Sequence, residues 1–215
     1  MRKALTLIEL ILSMVIIGIT FTVIPKLIQA MNQGAQTTIK EEAMYNALAL
    51  MGAMVNLPWD ENNTLHGQIL SVTNGAAAYD CNTTTGYRVG GFVGGRECRP
   101  ESNGTVFSAS SSLGIEGTIY NDLDDYTATI NVDNNCSRAA GKSLYALNPT
   151  ISYVNDPGTG NAIALSDIPT GQSSNTKHIV VQAGYHADNK FSGCIAAFRY
   201  DAFNIGQTHI NSRSW

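Results

Sequence analysis

Residues 4–24, ALTLIELILSMVIIGITFTVI, decide the fold of this chain, because from Leu5 to Ile24 they carry a single charged side chain, Glu9. As a helix, residues 5–28 would be about 36 Å long at ~1.5 Å per residue, enough to cross a bilayer core of ~30 Å. A lone carboxylate in that core costs roughly 2.5–3.5 kcal/mol. The stretch therefore predicts a membrane helix in which Glu9 has a function of its own.

The residues around the apolar run argue against a cleaved secretory signal. Such a signal has a basic start, an apolar centre and a small-residue cleavage site after it. The chain does open with a short basic segment, but its small residue, Ala4, precedes the apolar run, and no A-x-A site follows Ile24. We therefore expect the apolar segment to stay on the mature protein.

The helical pattern continues past Pro25, where the missing N–H and the proline ring predict a kink. Apolar residues then recur at three- and four-residue spacing, which predicts an amphipathic helix with one buried stripe. Pro58 ends the pattern. The residues of the stripe are Ile39, Ala43, Ala47, Leu50, Met51 and Met54.

After Pro58, clusters of Asn, Gly, Ser and Thr separate short β-branched or aromatic runs, which are typical of strands. We expect an α+β fold in which a long helix packs on one face of an antiparallel sheet. The predicted segments are a leader (1–4), a membrane helix (5–28), an amphipathic helix half (29–57) and a β-rich head (58–215). The predicted strands are Gln68–Thr73, Tyr87–Val93, Gly117–Tyr120, Tyr126–Val132, Ser143–Leu147, Ile151–Val154, His178–Gly184 and Cys194–Phe203.

Composition and motifs argue against nucleic-acid binding and against enzyme activity. The formal net charge is −4, so the chain has no basic nucleic-acid footprint overall. Its 4 histidines are scattered, and none stands beside a serine or cysteine in a nucleophile motif. We expect no enzyme activity and no cofactor.

Residues 4–10, ALTLIEL, resemble the signal shared by type IV pilins and type II secretion pseudopilins. The resemblance implies a pilin-like fold and cleavage by prepilin peptidase between Ala4 and Leu5, which makes Glu9 the fifth mature residue. The chain departs from the usual pattern at Ala4, where glycine is common, and at Leu5, where phenylalanine is common. The glycine and proline usual in the family's helix match Gly18 and Pro25.

The resemblance also implies a function for Glu9. Cleavage creates an α-amino group at Leu5, which the family methylates. In a bundle of apolar helices, the Glu9 carboxylate of one subunit would neutralise the Leu5 amine of the next, because opposite charges attract strongly at low dielectric constant. The implied partners are other pilin subunits, prepilin peptidase and, before assembly, the inner membrane.

Two kinds of filament subunit agree with this interpretation. One is a subunit of a surface type IV pilus, major or minor, and the other is a type II secretion pseudopilin; the length of 215 residues favours a minor subunit. The precursor would cross the inner membrane once with its head in the periplasm, before joining a periplasmic or cell-surface filament. The alternative is a membrane-tethered periplasmic binding domain with an uncleaved anchor, which has no use for Glu9.

The cysteines predict disulfide bonds. The chain has 4 of them, and an even number in an exported protein favours two bonds. Sequence alone allows three pairings. We favour Cys81–Cys98, which are close along the chain, together with Cys136–Cys194; four free thiols are the alternative.

Two polar patterns in the head complete the sequence evidence. Asparagine sequons stand at Asn62, Asn82, Asn103 and Asn135, each with an acidic residue two positions earlier, a pattern that resembles bacterial glycosylation sites. Residues 121–126, NDLDDY, could hold calcium through Asp122, Asp124 and Asp125. The segment has no EF-hand pattern, and an acidic turn explains it without an ion, so we predict no metal site.

Overall fold

A computed structural model describes residues 6–63, 69–79, 81–82, 88, 98, 107–128, 130–132, 145–157, 166–187 and 190–206. The chain divides into two compact units, Met1–Glu42 and Ala43–Trp215; the second is called the head unit below. One long helix and an antiparallel sheet make up the architecture, so the predicted α+β class is confirmed.

Helix α1 spans Leu7–Val55 and runs through Gly18 and Pro25 without interruption. The kink predicted at Pro25 stays a prediction. The last turn closes through a hydrogen bond of 3.0 Å from Leu57 N to Met54 O, directly before Pro58. The helix therefore ends where the sequence predicted, because proline cannot continue the ladder.

The end of α1 from Ala43 onward belongs to the head unit and buries most of the predicted stripe, while Ile39 and Leu50 are half-buried. Asn46 lies beside the stripe, and its Nδ2 donates to the hydroxyl of Tyr145 in the sheet. This part of the helix packs on the sheet through one face, as the three- and four-residue spacing predicted. The fully buried members are Ala43, Ala47, Met51 and Met54.

The sheet has four strands in the order β1-β2-β3-β4, and every neighbouring pair is antiparallel. Three strands are long and β1 is short. Alternate residues of β3 are fully buried, which is the pattern of a strand with one face on the core. The strands are β1 Ile130–Val132, β2 Tyr145–Val154, β3 Thr176–Ala187 and β4 Lys190–Phe203; the buried set on β3 is Lys177, Ile179, Val181 and Ala183.

The described part of the predicted strand Ser143–Leu147 and the predicted strand Ile151–Val154 belong to one continuous strand, β2. Pro149, which cannot donate to a ladder, lies between the two predicted segments. Within the described residues β1 pairs only with Tyr145–Leu147. On the side of β2 that faces β1, Pro149 therefore has no neighbouring strand among those residues. The other side of Pro149 pairs with Val181 of β3.

Other predicted strands are wrong in part. Gly117–Tyr120 forms bends, and Gly117 has φ 99°, outside the strand region. In the described part of Gln68–Thr73, Leu70 N and O bond the side chain of Asn204 instead of a neighbouring strand. Tyr126–Val132 becomes a strand only at Ile130, and Tyr87–Val93 lies outside the described residues except for Arg88. The last two predicted strands fall within β3 and β4.

Candidate functional site

The N-terminus of α1 holds Glu9 in a local hydrogen-bond arrangement. Glu9 Oε2 accepts from the backbone N and from the Oγ1 of Thr6, both at 3.0 Å. Leu10 N donates to Thr6 O at 3.2 Å, which is the first bond of the helical ladder. Thr6 and Glu9 thus make one of the two bonds of a capping box, in which the glutamate side chain accepts from the backbone N–H of the N-cap residue. Both bonds go to Oε2, so among the described residues Oε1 stays available to another donor.

The first half of α1 exposes large apolar side chains on all sides, including Leu7 at 78%, Phe21 at 77% and Ile17 at 53%. Its hydroxyls are satisfied within the helix: Ser13 donates to Leu10 O at 2.9 Å and Thr20 to Ile17 O at 2.8 Å. A helix with internally bonded hydroxyls suits an apolar surrounding, where an unpaired polar group is costly. This helix is long and apolar enough to serve as a single membrane anchor.

A buried lysine lies at the centre of the head unit. Lys177 is fully buried, and its Nζ donates to Asp124 Oδ1 at 2.5 Å and to Trp59 O at 2.6 Å. Asp60 Oδ2 lies 3.5 Å from the same nitrogen. The ammonium also lies 4.3 Å from the ring centroid of Trp59 and 5.2 Å from that of Tyr153. These contacts compensate a buried charge that would otherwise be very costly.

The residues around this lysine-centred cluster (Lys177, Asp60 and Asp124) are held in place by further hydrogen bonds. Asp60 accepts from Ser110 N at 3.0 Å through Oδ2 and from Asn62 N at 3.1 Å through Oδ1. Tyr153 OH donates to Ser110 O at 2.6 Å. The cluster therefore ties the segment after α1 to the sheet and to the loop around Ser110.

The three aspartates of NDLDDY have separate surroundings. Asp124 pairs with Lys177. Asp125 closes a turn, because its Oδ2 accepts from Asn121 N at 2.8 Å and from Asp122 N at 3.1 Å. Asp122 is fully buried, yet neither of its carboxylate oxygens has a hydrogen-bond partner among the described residues. The turn explains Asp125, as predicted, but it leaves Asp122 unexplained.

Asp122 belongs to a second acidic set that sequence analysis missed. Carboxylate oxygens of Glu61, Glu116 and Asp122 lie within 4.8 Å of one another, and so do those of Asp60, Glu61 and Asp124. The first set is called the three-carboxylate cluster below. Glu61 follows α1 directly, whereas Glu116 and Asp122 lie in the loop before β1. No local spacing in the sequence links these segments.

The pKa values of this region are shifted upward. Burial raises the pKa of Asp122 to about 8, and the charges of Asp124 and Asp125 add to the rise. Burial, followed by the charge of Asp60, raises the pKa of Glu61 to about 7. Burial also raises the pKa of Asp124, and the Lys177 ammonium opposes that rise. In each case the first cause is burial, which disfavours the charged form of a carboxyl group.

The remaining predicted site residues fall in several places. The Cys81–Cys98 disulfide is present, with a Cα–Cα distance of 5.9 Å. Cys194 has a free, exposed thiol on β4; its predicted partner Cys136 lies outside the described residues, so that pairing stays a prediction. The processing residues Ala4 and Leu5 also lie outside the described residues.

Two of the four sequons can be placed. Asn62 Nδ2 donates to Ser108 O at 2.8 Å, and Asp60, its acidic neighbour, is fully buried. Glycosylation of Asn62 would therefore require that bond to open. Asn82 is exposed, and Asn103 and Asn135 lie outside the described residues. Glycosylation stays a prediction at all four.

No protein-family model, curated protein or solved structure matches this chain.

Proposed function

We propose that this chain is a pilin-like structural subunit. It enters the inner membrane as a precursor, loses residues 1–4 and packs through α1 into a type IV pilus or a type II secretion pseudopilus, as a minor subunit. The supporting observation is an 18-residue window of α1 with mean hydropathy 2.5, none of it buried within the chain. An exposed apolar surface of this size has its partners outside the chain. The bilayer provides that partner before assembly, and neighbouring helices provide it afterwards.

Glu9 then determines how the helices of neighbouring subunits align. The α-amino group of a processed Leu5 would pair with Glu9 of the adjacent subunit in an apolar helix bundle. Each charge offsets part of the desolvation cost of the other, and the pair fixes the axial register of the two helices. The geometry of Glu9 supports this proposal, since the Oε1 that Thr6 does not use stays available to a donor from another subunit.

The capping role of Glu9 has to be separated from its role between subunits. Glu9→Gln keeps an acceptor oxygen for Thr6 N but removes the negative charge, whereas Thr6→Ala removes the hydroxyl bond and keeps the charge. We expect the glutamine variant to be inserted and processed but not to be incorporated into filaments, as judged by immunoelectron microscopy of the native host. The alanine variant should still assemble. Filaments that incorporate the glutamine variant as well as the wild-type chain would overturn the charge pairing.

The intact mass of the native protein tests the processing pathway directly. Loss of residues 1–4 together with one added methyl group is the expected result. A mass that retains residues 1–4, in a host with working prepilin peptidase, would contradict the pilin proposal. Any further excess mass would count glycans on the sequons.

A further inference from the structure

The acidic side chains of the head unit form two sets with different surroundings. The lysine-centred cluster has the Lys177 ammonium, which lies 2.5 Å from Asp124 and 3.5 Å from Asp60. Among the described residues, no comparable cation of the chain bonds Glu116 or Asp122. A positive charge from solution would neutralise these two carboxylates.

We propose that Glu61, Glu116 and Asp122 bind one calcium ion in the head unit. Their carboxylate oxygens lie within 4.8 Å of one another. Calcium binds oxygen at about 2.3–2.6 Å, so two ligands on opposite sides of one ion lie roughly 4.6–5.2 Å apart. All three carboxylates can therefore contact the same ion.

Asp122 supplies the independent evidence for a ligand. Its side chain is fully buried, and both of its oxygens lack a hydrogen-bond partner among the described residues. A buried carboxyl group without a partner is unfavourable in either protonation state, so such groups are normally hydrogen-bonded, paired or bound to a metal. Its neighbours Asp124 and Asp125 use their oxygens on Lys177 and on the turn, which leaves Asp122 directed at the other two carboxylates.

The chemistry of the cluster selects the ion. Three carboxylates are hard oxygen ligands, which suit calcium and magnesium better than zinc, for which nitrogen and sulfur ligands are typical. Magnesium usually takes one or two carboxylates and keeps several waters, whereas calcium accepts more protein oxygens in flexible geometry. Glu116 is exposed and Glu61 is partly exposed, so the ion can enter from solvent and keep water on that side.

The bound ion would connect two separate segments. Glu61 lies just after α1, while Glu116 and Asp122 lie in the loop before β1, and the backbone already joins the segments once, because Leu123 N donates to Pro58 O at 3.0 Å. Calcium would add a second link beside that bond. The inference differs from the absence of metal predicted from sequence, and it does not depend on the pilin proposal.

The test uses full-length protein in detergent, depleted of divalent ions with EDTA and titrated with calcium chloride in a calorimeter. We expect one calcium per chain and, with calcium at about 100 times its dissociation constant, a rise in melting temperature of about 5–10 °C. Asp122→Asn and Glu116→Gln should each weaken binding by about tenfold or more, because each removes a charged ligand. Asp201→Asn is the matched control, since Asp201 pairs with His178, 2.6 Å away.

Three results would overturn the proposal. One is a wild-type chain with neither binding heat nor a thermal shift. Another is calcium binding that survives both ligand variants, and the third is magnesium binding as tight as calcium binding. In EDTA the Asp122→Asn variant should melt no lower than wild type, because an amide of nearly the same size replaces a buried carboxyl group that has no hydrogen-bond partner among the described residues. The exposed Glu116 provides a second variant that leaves the core intact.

Discussion

The first half of α1 and the head unit place opposite kinds of side chain in opposite environments. Leu7 and Phe21 are apolar and almost fully exposed, whereas Lys177, Asp60 and Asp124 are charged and fully buried. An exposed apolar surface has its partners outside the chain, and buried charges have theirs inside it or bound to it. The comparison teaches that the first half of α1 presents an apolar surface suited to partners outside the chain, while the polar core stabilises the internal order of the head unit.

The largest expected effect comes from removing the buried ammonium. Lys177→Met leaves Asp60 and Asp124 buried without their cation, and breaking a buried ion pair in this way costs about 3–5 kcal/mol. We expect a corresponding loss in the free energy of unfolding of the head unit, measured by urea titration of the full-length protein in detergent.

Lys40→Met is the control for that variant, because Lys40 is exposed on α1. It should leave unfolding of the head unit unchanged. A Lys177→Met protein as stable as wild type would break the comparison, since the buried charges would then contribute nothing to the order of the head.

Met31 and Met54, both on α1, test whether the exposed and the buried parts of the helix contribute differently to the stability of the head unit. Met54 is fully buried, and Met31 is 67% exposed. Met54→Ala should reduce the free energy of unfolding of the head unit by about 2–5 kcal/mol, because truncating a buried methionine loses apolar contacts and leaves a cavity. Met31→Ala should leave it unchanged and act, if at all, on filament assembly. Equal effects of the two variants on unfolding would contradict the division of α1.

The Cys81–Cys98 disulfide closes a loop with a sequence separation of 17. Loop-closure entropy for that length corresponds to about 3 kcal/mol at 25 °C. Replacing both cysteines with serine should lower the free energy of unfolding of the head unit by up to that amount while leaving membrane insertion of α1 unchanged. Unfolding curves that coincide for the variant and the wild type would contradict a stabilising role.

Hydropathy was sufficient to predict the helix and its buried stripe. The run up to Ile24 and the spacing from Ala43 to Met54 are local patterns, so sequence periodicity predicts them. Strand boundaries were less predictable. The sequence analysis predicted two strands where β2 is one, and the sequence does not tell whether a neighbouring strand requires the N–H that Pro149 lacks.

The acidic site was not predictable from local sequence, although one signal was available. Lys177 alternates with Ile179, Val181 and Ala183, so the period of two places it on the buried face of β3. A lysine at such a position predicts a buried acidic partner. The tertiary contact of Asp122–Asp125 with the end of α1 determines which carboxylate pairs with Lys177 and which one has no cation of the chain beside it. That contact has no local signature in the sequence.

The smallest expected effect isolates one hydrogen bond of the polar core. Tyr153→Phe removes the hydroxyl that donates to Ser110 O at 2.6 Å but keeps the ring that lies edge-on to Trp59 at 5.9 Å between centroids. Since the aromatic contacts with Trp59 and Lys177 remain, the loss should be that of a single hydrogen bond, about 0.5–1.5 kcal/mol, measured by urea unfolding. Tyr200→Phe is the control, because Tyr200 is 40% exposed on β4 and should change little. A loss for Tyr153→Phe as large as that for Lys177→Met would mean that the Ser110 loop, which also donates to Asp60, depends on this hydroxyl to hold the charged cluster together.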